Sequence, residues 1–171
     1  LKPGFPQAYS NLGAILKDLG KLQEAENYQR KAIELKPDFA NARYNLGSIF
    51  TSLGKFKEAE ISLRKAIELD PDLAEAHFHL GGICKELGKF HDAINSLNKA
   101  IQLDNELSVA KAELILNKGS ICDWSDQETQ AIWLESIGIE GPAVSPFGLL
   151  HYEDNPFKSL KRSETYYREK Y

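Results

Sequence analysis

The chain has 171 residues, of which 42% are hydrophobic, and its formal net charge of −4 comes from Lys and Arg interspersed among Asp and Glu. That pattern offers no basic stripe, so it excludes a nucleic-acid footprint, and no apolar run reaches membrane-spanning length or has a signal-peptide layout. The two cysteines, Cys84 and Cys122, belong to no Cys-x-x-Cys pair or disulfide framework and read as reduced thiols in a cytoplasmic compartment.

From the N-terminus the chain repeats itself. Leu1 reads as the tail of a preceding repeat, and the sequence contains no Met, so an excised piece of a longer protein is expected. Pro3, Pro37 and Pro71 then mark three unit boundaries spaced by 34 residues. Each unit predicts a first helix, carrying Ala8, Leu12 and Gly13, then Ala42, Leu46 and Gly47, then Ala76, Leu80 and Gly81. A mid-helix glycine costs about 1 kcal/mol relative to alanine, so its recurrence predicts close approach of another helix. Gly20, Gly54 and Gly88, each followed by Lys, predict left-handed stops that turn the chain into a second helix. In the second unit Ala59, Leu63, Ala66, Ile67 and Leu69 make one apolar stripe, which the other second helices reproduce with Ala25 and Ala32 or Ala93 and Ala100. A single unit cannot bury that stripe alone, so residues 1–104 are expected to form three stacked repeats.

The period fades at Asn105, which replaces the boundary Pro, and Ile115 stands where the repeat glycine belongs. Residues 105–118 are expected to hold a helix that closes the stack through Leu107, Ala110, Leu114 and Leu116. Residues 119–171 read as a junction with two further helices. Ser125 and Glu128 form a capping-box signal for a helix through about Ile137, with Ile132 and Trp133 on its apolar side. Gly138 to Pro146 reads as a loop, and Asp154 or Asn155 followed by Pro156 as the start of a last helix with Phe157, Leu160, Tyr166 and Tyr167.

A 34-residue Leu-Gly, Ala, Ala, Pro pattern resembles the tetratricopeptide repeat, which implies an all-α superhelical solenoid of antiparallel helix pairs, here with a C-terminal helical extension. The function such an architecture implies is protein or peptide binding. A second resemblance lies in Ile121-Cys122-Asp123-Trp124-Ser125-Asp126, followed by Pro146-Phe147-Gly148-Leu149-Leu150 and a Tyr-rich segment. This resembles the junction between repeats and catalytic region in O-linked N-acetylglucosamine transferases and their bacterial relatives. The resemblance implies a substrate-recognition arm, with a UDP-sugar donor used only in a region downstream of Tyr171. No Gly-x-Gly-x-x-Gly, Gly-x-x-x-x-Gly-Lys-Ser or Gly-x-Ser-x-Gly occurs, so neither catalytic residues nor a cofactor site are expected in this chain.

The same resemblance implies a ladder of Asn residues, one before each Leu-Gly, lining a groove for extended peptide. The corresponding residues are Asn11, Asn45, His79 and Glu113, of which two match and two depart. An Asn amide offers donors and an acceptor, which suits gripping a peptide backbone; plain exposure, or a hydrogen bond between repeats, explains these Asn residues equally well. A stand-alone adaptor is the alternative function. A co-chaperone-like carboxylate clamp is disfavoured, because Gln7 with Asn11, Asn41 with Asn45 and Glu75 with His79 lack paired cations.

Other constellations read as structural. His77 and His79 face different directions on one helix, and His91 and His151 lack partners at ligand spacing, so no metal site is expected. Asp70, Asp72 and Glu75 read as helix-start charges, Trp124 and Trp133 as covers for the last repeat face, and Lys158, Lys161, Arg162, Arg168 and Lys170 as a solvated helix face. The sequence leaves oligomeric state open.

Overall fold

The computed structural model describes residues 5–121, 123, 132, 133 and 168. Residues 5–121 hold seven α-helices: α1 Pro6–Asp18, α2 Leu22–Leu35, α3 Ala40–Ser52, α4 Phe56–Leu69, α5 Ala74–Glu86, α6 Phe90–Leu103 and α7 Ser108–Ser120. They fall into two compact units, divided between Lys89 and Phe90. None of the described helices is long and apolar enough to cross a membrane.

In the first unit, α1 pairs with α2 and α3 with α4, and α5 packs on α4. The turns between paired helices are set by glycine. Gly20, Gly54 and Gly88 have φ of 75°, 70° and 72°, the left-handed conformation expected of them. At each, the Gly N–H bonds to the carbonyl three residues back (Gly20 to Lys17, 2.9 Å). The following Lys N–H reaches five residues back (Lys21 to Leu16, 2.8 Å; Lys55 to Phe50, 2.9 Å; Lys89 to Cys84, 2.8 Å). That pair of bonds satisfies the last carbonyls of the helix and reverses the chain.

At Gly13 and Gly47 the mid-helix glycine marks close approach, as the recurrence predicts. A Cβ on Gly47 would lie 2.8 Å from Leu63 Cγ, and one on Gly13 would lie 2.7 Å from Gln29 Nε2. Leu63 and Gln29 are both fully buried on the second helices. Between the first two repeats, within the first unit, the core is apolar: Ile49 packs with Leu16 and Ala25, joined by Leu12, Tyr28 and Leu53. Phe39 packs with Ala32 and Ala42, joined by Tyr9 and Ile33.

The Lys residues that follow the second and third turn glycines also tie successive repeats together, whereas Lys21 pairs with Glu24 of its own repeat. Lys55 Nζ lies 3.6 Å from Glu26 Oε2, and Lys89 Nζ lies 2.8 Å from Glu60 Oε2. Each carboxylate is already held by an Arg one turn along its helix, Arg30 at 2.8 Å and Arg64 at 3.0 Å. Lys89, then Arg64, hold the Glu60 carboxyl below the usual carboxylate range against the opposing effect of burial. The third member of this series breaks the pattern, since Ile94, Asn98 and Asp123 stand at the corresponding positions.

In the second unit, α6 packs on α7. Ala112 and Ile115 of α7 form a small core with Val109, Leu116 and Trp133, and Lys111 Nζ sits 5.6 Å from the Trp133 ring centroid. Trp133 therefore covers an apolar face of α7, the role read for it from sequence. Trp124, the helix expected from Ser125 apart from Ile132 and Trp133, the loop from Gly138 to Pro146 and the last helix apart from Arg168 lie outside the described residues.

Candidate functional site

Within the first unit α1, α3 and α5 neighbour one another in turn. The 34-residue translation therefore brings side chains of equal register onto one shared face. Asn11, Asn45 and His79 occupy that register, yet their surroundings differ.

Asn11 is exposed, and its Oδ1 accepts from Gln7 Nε2, one turn earlier, at 2.9 Å. Asn45 is half-buried, and its Nδ2 donates to Ser10 Oγ of α1 at 3.2 Å. The inter-repeat hydrogen bond left open by the sequence is thus made at Asn45, while Asn11 is bonded within its own helix. Each amide retains capacity for a further bond, Asn11 through its N–H groups and Asn45 through its carbonyl and second N–H. Ser10 is itself buried, and its backbone carbonyl accepts from Gln29 Nε2 at 2.8 Å. Polar contacts thus run from α2 through α1 to the ladder residue of α3.

His79 is half-buried, with the Tyr44 ring of α3 edge-on at 5.4 Å between centroids and Phe78 at 5.5 Å. Burial, and then the positive charge of Lys17, hold its imidazole below the ordinary histidine value, outweighing the opposite pull of Glu75. Its neutral form prevails at pH 7. Burial, with Glu75 adding to it, pushes the Tyr44 phenol up, so that group stays protonated.

Lys17 Nζ donates to Ser48 Oγ of α3 at 3.3 Å, a second polar link between first helices. Gly82, one turn beyond His79, leaves space: a Cβ there would meet nothing within 4 Å. Neither Lys17, Ser48 nor Tyr44 was singled out by sequence reasoning. The available signal was register, because Ser48 and Gly82 occupy the same repeat position and Tyr44 directly precedes a ladder residue.

Glu113, the fourth ladder position, belongs to α7 in the second unit, where its backbone carbonyl accepts from Asn117 Nδ2 at 2.7 Å. His77 is half-buried with Nε2 3.0 Å from the Pro71 carbonyl, so it turns toward the start of its helix rather than toward His79. Of the boundary carboxylates, Asp70 accepts the Asp72 backbone N–H at 3.2 Å and so shapes the turn, whereas Glu75 stands in the first turn of α5.

The family model for Tetratricopeptide repeat matches residues 5–72 and 38–106, more than half of the chain. The chain belongs to the tetratricopeptide repeat family. Its fold class is accordingly all-α, built of antiparallel helix pairs. No curated protein sequence matches the chain. Among solved structures it is similar to MamA, with a TM-score of 0.70 at 20% identity, over 99% of this chain and 84% of that one. It is also similar to YrrB, described as a tetratricopeptide repeat protein with an unusual peptide-binding site, with a TM-score of 0.71 at 18% identity over 99% of this chain and 88% of YrrB. A third likeness is to a mutant O-GlcNAc transferase of Thermobaculum terrenum, with a TM-score of 0.67 at 22% identity, over 82% of this chain but 29% of the transferase.

Proposed function

We propose that the face made by α1, α3 and α5 binds an extended segment of a partner protein, with Asn11, Asn45 and His79 as its recurring contacts. The observation that carries this reading is the unspent hydrogen-bonding capacity of Asn11 and Asn45 at one register, beside a half-buried aromatic pair formed by Tyr44 and His79. Polar groups at a fixed repeat suit the main chain of an extended ligand, and an adjacent aromatic surface suits its side chains. Replacing Asn11 and Asn45 together by Ala tests it. Affinity for bound peptide should fall about tenfold, since two hydrogen bonds of about 0.5–1.5 kcal/mol each are lost. Unchanged affinity with the helical content intact rejects the ladder.

The finer reading is that this module is the substrate-recognition arm of a protein O-glycosyltransferase. Its support is the Cys122-Asp123-Trp124-Ser125 segment directly after the repeats, together with the fold likeness to the Thermobaculum terrenum transferase. In that role the groove raises the effective concentration of a Ser- or Thr-bearing chain near a catalytic region that uses a UDP-sugar. A stand-alone cytoplasmic adaptor is the second reading, supported by likeness to MamA and YrrB over most of their own lengths. Assaying the full gene product for sugar transfer from UDP-N-acetylglucosamine to protein separates them: transfer establishes the arm, and its absence leaves the adaptor.

A further inference from the structure

Resting on the groove reading, a more specific chemistry appears at the end of the shared face where Lys17, Ser48 and Gly82 stand. Three first helices contribute to it. From α1 comes Lys17, whose ammonium carries three N–H donors and spends one on Ser48 Oγ at 3.3 Å. From α3 come Ser48, which is only 8% exposed, and Tyr44, whose ring meets His79. From α5 come His79 and, one turn on, Gly82, where the absent side chain leaves open space. Asn45 lies one turn before Ser48 on α3, so a segment gripped there passes this end of the face.

The groups that converge are donors. A lysine ammonium, a serine hydroxyl and a neutral imidazole present N–H or O–H groups. The carboxylates nearby are placed to the side. Asp18 lies 3.8 Å from Lys17 Nζ but is 75% exposed, so solvent screens that pair. Glu75 is exposed one turn before His79, on the side away from Gly82. Lys17 is held by its bond to Ser48 with its side chain 32% exposed, which keeps the charge accessible yet oriented. That Lys17 and His79 act on the same region is supported by the effect of the lysine charge on the imidazole.

We infer that Lys17, Ser48 and His79, opening onto the gap at Gly82, form a subsite for one acidic side chain of the bound segment, a carboxylate or a phosphate. It differs from a terminal-carboxylate clamp, which needs paired cations at the ladder itself. Here a single cation, six residues past the ladder residue of α1, meets a side chain part-way along the ligand.

The test uses the whole chain and arrays of otherwise degenerate 12-residue peptides with a fixed central Glu, phosphoserine, Gln or Lys. Glu-centred peptides should bind about five- to tenfold tighter than Gln-centred ones, as a partly exposed charge-assisted hydrogen bond provides. Lys17→Met should abolish that preference, and Lys17→Glu should turn it toward Lys-centred peptides. Preference for phosphoserine without one for Glu assigns the subsite to phosphate. Equal binding of all four overturns the subsite and leaves the groove reading standing, whereas no binding of any set overturns both.

Discussion

Gly47 and Gly82 both lie inside first helices, and replacing each by Ala should have opposite effects. Intrinsic propensity favours Ala over Gly in a helix by about 1 kcal/mol at either site. At Gly82 nothing within 4 Å opposes the added methyl, so Gly82→Ala should stabilise by about 0.5–1 kcal/mol. At Gly47 the methyl would stand 2.8 Å from Leu63 Cγ and 3.0 Å from Cδ2. The nearest atom is the branch point of a fully buried side chain, so relief requires moving the whole isobutyl group through packed surroundings. Overpacking of that kind costs about 1–3 kcal/mol, and this geometry belongs at the upper end. Gly47→Ala should therefore lose about 1–2 kcal/mol net, a fall in melting temperature of about 5–10 °C for a unit of this size. Thermal melts followed by circular dichroism compare the two variants, and a Leu63→Ala background completes the cycle. With Leu63 shortened, Gly47→Ala should become stabilising like Gly82→Ala. If Gly47→Ala stabilises the unaltered chain as much as Gly82→Ala does, close approach is not the reason for the repeat glycine.

Other outcomes follow from the same contacts. Gln29→Leu should raise stability by about 1 kcal/mol in a urea titration: Gln29 Oε1 is buried without a partner, while the same repeat position elsewhere holds the fully buried Leu63 and Leu97. Glu60→Gln should cost only about 0.2–1 kcal/mol at pH 7 because Lys89 is half-exposed, and the difference from the unaltered protein should vanish in strong acid. The lowered Glu60 value implies stability that is present above the ordinary carboxylate range and lost as pH falls through the folded value. His79 acts in the same sense at higher pH: the unfolded imidazole takes up its proton first, so stability is full above about pH 6.5 and declines as pH falls toward the lowered folded value. Melting temperatures between pH 8 and 5 should therefore fall less for His79→Asn than for the unaltered chain; parallel curves would rule out His79 as the cause.

Much of the first unit was legible because the repeat makes each position testable against its copies. The left-handed glycines and the close approach at Gly13 and Gly47 follow from residue type and period alone. Partner identity was less visible. That Gly13 faces an amide and Gly47 a leucine depends on Gln29 replacing the leucine of the later repeats, a local departure that pattern reading averages away. The Lys after each turn glycine was visible as a recurrence, yet the pairing of Lys55 with Glu26 and of Lys89 with Glu60 spans 29 residues and depends on how the turn aims the side chain. Ladder residues of one type were read alike, although Asn11 bonds along its helix and Asn45 bonds across to Ser10. Side-chain hydrogen bonds of this kind depend on the neighbour supplied by the fold, and Ser10 carries no signal of its own.

The most direct test of peptide binding by this face is amide and side-chain chemical-shift mapping of the isotopically labelled chain on addition of bound peptide. The account predicts saturable shifts at Asn11, Tyr44, Asn45 and His79, with Ile61 on α4 unmoved. Shifts centred on α2 and α4, with Asn11 and Asn45 unchanged, would contradict it.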